Sequence, residues 1–255
     1  MSTVLTKAEI SDVGVFASAT HDLVRVKAVD GMDFSEVLHT TGAVRTFAPE
    51  PVSAETLYRV LDAARFAPSG GNRQPWHVII VKDTALRSEL AELSTQVFRR
   101  YVTEQMAGYQ SFSVVNPAPI ELPLRDDLPA HPMLSAIGDV PEVLVVTVDL
   151  RDLAVLDRNL ERPSIVGGGS IYPFIQNLLL AARNEGLGAC LTTFLAAAES
   201  RAAQLLDLPE EHAIAALIGL GFPREPFKRL KRKSVEEFAT TDRFDGQPFT
   251  SISAG

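Results

Sequence analysis

The chain has 255 residues, enough for one sizeable core that buries roughly 70–75% of its unfolded surface without covalent staples. Hydrophobic residues make up 46% and charged residues 22%, ordinary globular proportions, and the net charge of −8 argues against a general nucleic-acid binder or a polybasic membrane anchor. The lone Cys190 excludes an internal disulfide and fits a reducing cytoplasm, and no apolar run reaches the ~20 residues of a membrane span.

Residues 1–30 read as an N-terminal extension with a short helix near Ala8–Ala17. They lack the basic stretch and apolar run of a secretory signal. A short helix over Asp33–His39 is expected next, then a helix capped by Ser53. Leu57, Val60, Leu61 and Ala64 give that helix one apolar stripe, and Pro68 with Gly70-Gly71 ends it. Trp76–Val81 is expected as a buried strand and Thr84–Met106 as a helix. Five prolines between 107 and 138 leave no room for a long helix, so that segment is a candidate lid or substrate-binding loop. Val143–Asp149 reads as a second buried strand. Ile171, Phe174, Ile175, Leu178, Leu179 and Ala182 hold a 3.6-residue period, with Pro173 tolerated in the first turn, and predict the most buried helix. A strand over Ala189–Thr193, a helix near Glu199–Leu206 and a buried strand over Ala213–Gly221 follow, then a basic cluster at 228–233 and a polar arm over 239–255. Helices and strands mix without a strict βαβ repeat, so the class is α+β.

The stretch Ala67-Pro68-Ser69-Gly70-Gly71-Asn72-Arg73-Gln74-Pro75-Trp76 joins a helix end to a strand. Small residues let a flat ligand approach the backbone, and Ser69, Asn72 and Gln74 offer donors and acceptors for a polar ring edge. An ordinary polar turn accounts for the same composition. Elsewhere the signals are weak. The five histidines show no metal-ligand spacing. Ser69 lacks a nucleophile elbow because Ala67 stands at the first glycine position. Gly167-Gly168-Gly169-Ser170 lacks the third glycine of a dinucleotide fingerprint and reads as a turn, and Cys190 reads as small-residue packing.

Taken in order, Val44-Arg45-x-Phe47, Pro51-Val52 and Ala63 through Trp76 resemble the N-terminal signature of the nitroreductase superfamily. Gln176–Arg183 resembles its central helix, and Gly186-Leu187-Gly188 with Thr192-Thr193 its strand and loop beneath a flavin. Lys231–Glu237 resembles the C-terminal basic motif of iodotyrosine deiodinase-like relatives. The resemblance spans roughly 34–238 and places the domain at 31–238. It implies an intertwined homodimer around a mixed, mainly antiparallel sheet flanked by helices, with FMN at the subunit interface and both chains contributing.

By the same resemblance Arg45 and Arg232 hold the FMN phosphate or its neighbourhood, Pro68, Ser69, Gly70 and Asn72 line the flavin, and Thr192 or Thr193 reaches its N5/O4 edge. Thr41-Gly42-Ala43 departs from the Arg-Arg-Ser run usual in the family. Two phosphate ligands are therefore missing, and Thr41 with nearby backbone N–H groups is expected to take up part of the loss. The implied activity is ping-pong hydride transfer from NADH or NADPH to a nitroaromatic, quinone or other activated acceptor, with no membrane or nucleic-acid partner. A flavin-sequestering homologue and an enzyme that fragments reduced flavin are the alternatives. Glu104 and Tyr109 lack the spacing of the deiodinase lid, so deiodination is not implied.

Overall fold

A computed structural model of the chain describes residues 32–125 and 127–251; the helix expected near Ala8–Ala17 lies outside them. Seven helices and four strands are defined among the described residues: α1 Phe34–Thr40, α2 Ala54–Ala64, β1 Trp76–Val81, α3 Thr84–Met106, α4 Pro132–Ser135, β2 Glu142–Asp149, α5 Tyr172–Asn184, β3 Gly188–Thr192, α6 Phe194–Ala197, α7 Glu199–Leu205 and β4 His212–Gly221.

Local chemistry sets the helix starts. Asp33 accepts from the backbone N–H groups of Ser35 and Glu36, Ser53 from Thr56 and Asp83 from Leu86, each satisfying donors that the first turn leaves open. Pro173 sits in the first turn of α5, as expected.

The strands form one sheet in the order β1-β2-β4-β3, with every ladder antiparallel. The parallel element is an isolated bridge between Ala43 and Ala189. Alternation along the central strands supplies two cores. Leu144, Val146 and Ile218 face α2 and α5, packing with Val60, Ala64, Ile175 and Leu178. Val143, Val145, Leu217 and Cys190 face α3 and the segment around α4, packing with Leu90, Met133 and Ile137. Helices cover both faces, which explains why β2 and β4 read as unbroken apolar runs: nearly every residue in them is buried.

β1 does not fit the expectation of a buried strand. It is an edge strand, with His77 and Ile80 exposed and only Val81 fully buried. Its outer edge lacks the second neighbour that buries β2, and hydropathy alone does not encode that position.

The opposite edge, β3, is covered by the segment 43–47. The Val44 N–H donates to the Ala189 carbonyl at 2.9 Å. Gly188 permits that approach, since a Cβ there would lie 2.6 Å from the Val44 side chain. The stretch after β4 then runs back alongside 39–47. Arg224 N–H donates to Thr46 O, Arg224 Nε to Phe47 O, and Leu230 N–H to His39 O. Two segments far apart in sequence thus flank one sheet edge.

Candidate active site

Four cavities lie along that pair of segments, one of them, of about 150 Å³, between Arg45, Phe47, Arg224 and the Pro132–Val140 stretch; the other three meet the Thr40–Ala43 turn. The first, of about 110 Å³, is walled by Thr41, Gly42, Ala43, Leu179, Arg183, Leu191 and Phe227. The second, of about 300 Å³, runs between 40–46 and 225–230 and includes Arg45. The third, of about 540 Å³, is walled by Leu38, His39, Thr41, Gln176, Arg229, Leu230 and Arg232. Arg45 and Arg232, assigned from sequence, therefore line neighbouring cavities. Arg229 joins them from the basic cluster.

The cations of this face are open. Arg45 and Arg229 make no ion pair or hydrogen bond among the described residues, and Arg232 bonds only the carbonyl of Lys231, at 2.8 Å. Lys228 has a carboxylate, Glu225, at 3.2 Å, and Arg183 has Glu36 at 3.9 Å. Arg45 also acts on two buried groups on the sheet side. His131 lies below its usual pKa through burial first and the Arg45 charge second. Burial pushes the Cys190 thiol up, against a smaller opposing pull from Arg45. Cys190 is buried core, as its small size implied.

Thr192 and Thr193 part company. Thr192 is 6% exposed and turns its hydroxyl to Leu217 O at 3.4 Å. Thr193 is exposed at the start of α6, and its hydroxyl has no bond among the described residues. Thr41 corrects the expectation placed on it. Its hydroxyl donates to Val37 O at 2.6 Å, so its proton is already committed to the preceding helical turn.

The Pro68–Asn72 turn lines none of these cavities. It packs on the turn before α5, where Gly70 N–H donates to Ser170 Oγ at 2.9 Å, and Ser69 Oγ accepts from Gln74 N–H. Pro68, Gly70 and Asn72 face solvent. Gly71, Asn72 and Gln74 have φ between +54° and +63°, on either side of a right-handed Arg73, and a positive φ is uncommon for a residue such as Gln74. One chain therefore brings Arg45, Arg229 and Arg232 together and leaves the Pro68–Asn72 turn outside their cavities.

The nitroreductase family pattern matches residues 41–222, well over half of the chain and across every strand. The chain belongs to the nitroreductase family. It is 28% identical to the 4-nitrobenzoate reductase of Pseudomonas putida, over 84% of this chain and 97% of that protein. It is 30% identical to the 5,6-dimethylbenzimidazole synthase of Rhodospirillum rubrum, over 74% of this chain and 82% of that one. The NADPH:FMN oxidoreductase from Vibrio harveyi, solved with NAD+, superposes with a TM-score of 0.59 at 19% identity, covering 83% of this chain and 77% of that one. The fold is that of the nitroreductases, and the related proteins are oxidoreductases.

The 107–138 segment is held at its base by α3. Arg100 donates to the carbonyls of Pro119, Ile120 and Leu122 and pairs with buried Glu104 at 2.6 Å. Burial pushes the Glu104 carboxyl up, but the Phe112 N–H and Arg100 outweigh it and leave its pKa below the usual value. Glu104 thus ties the end of α3 to the start of this segment. An aromatic cluster links this base to the β3 side: Phe194, directly after Thr193, meets Phe98, Tyr101 and His131 edge-on at 5.6, 5.8 and 6.2 Å. Sequence reasoning missed that linkage, because its members come from three separate stretches. No group of three or more potential metal ligands occurs among the described residues, and no described helix is long and apolar enough to cross a membrane.

Proposed function

We propose that the chain is an FMN-dependent NAD(P)H oxidoreductase that reduces nitroaromatic, quinone or other activated acceptors. The observation that carries the reading is the open cation set, Arg45, Arg229 and Arg232, around cavities between the 38–46 and 225–232 segments. Cations left unneutralised beside a cavity suit an anionic ligand, and guanidinium forks suit phosphate. The apolar wall of Leu179, Leu191 and Phe227 beside them suits a flat ring. When bound, the flavin supplies two-electron chemistry between a nicotinamide and the acceptor.

The chain's own residues bind and orient. Arg45, Arg229 and Arg232 hold the phosphate side, and the free Thr193 hydroxyl is better placed than the committed Thr192 hydroxyl to meet the ring edge. The Pro68–Asn72 turn serves the corresponding site of a second copy, in keeping with its exposure and its separation from these cavities. Exposed Phe238, Phe244 and Phe249, on a C-terminal arm that folds back through a Thr240–Pro248 bridge, are the kind of apolar surface a second copy covers. The 107–138 segment, with Val115 and Ile120 more than four-fifths exposed, is the substrate-selecting lid.

The deciding experiment is an absorbance spectrum of the purified chain with added FMN, followed by anaerobic titration with NADH and NADPH and by size-exclusion chromatography. Bleaching of a bound flavin by either nicotinamide in a dimer is expected; no flavin binding removes the reading. The likeness to the benzimidazole synthase favours a second reading, with reduced flavin itself as the substrate. Loss of flavin under NADH and air, with a new benzimidazole product, identifies it.

A further inference from the structure

Arg183 is the buried cation that the activity proposed above does not yet use. It sits in the last turn of α5 and is only 6% exposed. Its Nε donates to Thr40 Oγ1 at 2.9 Å. Its nearest carboxylate, Glu36, stands 3.9 Å from Nη2, beyond hydrogen-bond length, and is half exposed. The face of the guanidinium is covered by the Phe227 ring, 3.7 Å from Cζ to the centroid. Neither Nη group makes a hydrogen bond among the described residues. Because no fully buried side-chain nitrogen there lacks a partner, this open edge is not sealed off, and Arg183 lines the 110 Å³ cavity with Thr41, Gly42 and Ala43. A buried guanidinium so weakly compensated is expensive unless an anion completes it. The cost shows as a pKa pushed down by burial, with Glu36 opposing only in part.

The cavity, about 110 Å³, has room for an oxyanion, nearly four times the ~30 Å³ that one water occupies in the liquid. It lies at the turn where Thr41-Gly42-Ala43 offers no cationic side chain and where the Thr41 hydroxyl is committed to Val37 O. Thr41 also lines the neighbouring cavity of Arg229 and Arg232. We propose that Arg183 is the phosphate anchor of this turn, offering its Nη edge to a phosphate monoester while Phe227 shields its face. This rests on the FMN reading above, and the monoester is then the tail of that cofactor.

The test measures the affinity of the full chain for FMN and, separately, for riboflavin, which lacks the phosphate. Wild type is expected to bind FMN more tightly than riboflavin, and equal affinity for the two overturns the proposal. R183M is expected to lose roughly ten- to a hundredfold in FMN affinity while riboflavin binding stays within about twofold. R183K recovers part of the loss, since it restores charge without the fork. Equal losses for both flavins mean that Arg183 only ties α1 to α5 and overturn the proposal. So does an unchanged FMN affinity, or a loss confined to NADPH. If R183M does not fold, the ratio of FMN to riboflavin affinity in R183K decides: a fall supports the anchor and an unchanged ratio rejects it. A wild type that binds neither flavin removes the FMN reading itself. Inorganic phosphate is then the probe: a phosphate-induced rise in Tm that R183K diminishes retains an oxyanion anchor, and its absence ends the proposal.

Discussion

The two edges of the sheet handle cations in opposite ways. On the β1 side, Lys82 and Arg87 are closed into bonds. Lys82 Nζ donates to both carboxylate oxygens of Glu142 at 2.6 Å, and buried Arg87 donates to the carbonyls of Val81, Val140 and Pro141. Arg151 with Asp149 and Arg162 with Asp157 do the same in the loops after β2. Beside β3, the guanidiniums of Arg45, Arg229 and Arg183 have their outer edges unmet. Both regions are rich in the same residue type. What separates scaffold from site is therefore not the presence of arginine but whether the chain itself completes it.

Breaking the closed edge gives the largest expected effect. Arg87→Met strands three carbonyls around a buried position, and stability to urea is expected to fall by about 3 kcal/mol, while the folded fraction binds FMN with unchanged affinity. An altered affinity at equal folding would show that the two regions are not separable. Gly188→Ala couples them on purpose. Its Cβ would meet Val44 at 2.6 Å, so overpacking costs about 1–3 kcal/mol, and the displaced 43–47 segment carries Arg45 with it. Both Tm and flavin affinity should fall. A drop in Tm alone would mean that Arg45 does not depend on the edge contact.

At the open edge the order reverses. Arg232 is exposed and bonds only the adjacent carbonyl, so Arg232→Gln is expected to change stability by less than ~0.5 kcal/mol. FMN affinity should fall about tenfold, the loss of one charge-assisted contact. A calorimetric titration of FMN beside a thermal melt reads both, and a destabilised variant with normal affinity would move Arg232 to the scaffold.

The same contrast explains what the sequence could show. Helix starts were legible where capping and periodicity are local: α2 begins after its Ser53 cap and buries Leu57, Val60 and Ala64 of the expected stripe. The family signature was legible because its blocks are contiguous. Strand position was not, and β1 was taken for a buried strand because an apolar run does not reveal whether a second neighbour pairs with it. The commitment of Thr41 to Val37 O was in principle readable, since a threonine at a helix end commonly bonds the carbonyl four residues back. Arg183 left a signal too. It follows Leu179 by four residues, which puts an arginine on the edge of an apolar stripe. Its meaning needed Phe227, 44 positions away, and so only the fold could supply it.

The smallest effect is a pH dependence that reports on the open edge from inside the core. His131 caps α4 through Nδ1, which accepts from the Leu134 N–H at 3.3 Å, and it packs edge-on against Phe98 at 5.2 Å. Burial and then the Arg45 charge hold its pKa below 6.5 in the folded chain. Above about pH 6.5 both folded and unfolded states are neutral there, and the contribution to stability is complete. As pH falls, the unfolded chain takes up the proton first, so stability declines until the pH has passed the lower folded value. The slope cannot exceed about 1.4 kcal/mol per pH unit for one proton. His131→Asn keeps a capping acceptor and should flatten Tm against pH between about 7 and 5. Because part of the depression comes from Arg45, an anion bound at Arg45 should relax it. FMN, but not riboflavin, should therefore shrink the slope in the wild type and leave the variant unaffected. Equal slopes with both flavins would mean that the phosphate does not neutralise Arg45, and would leave Arg183, Arg229 and Arg232 to hold it.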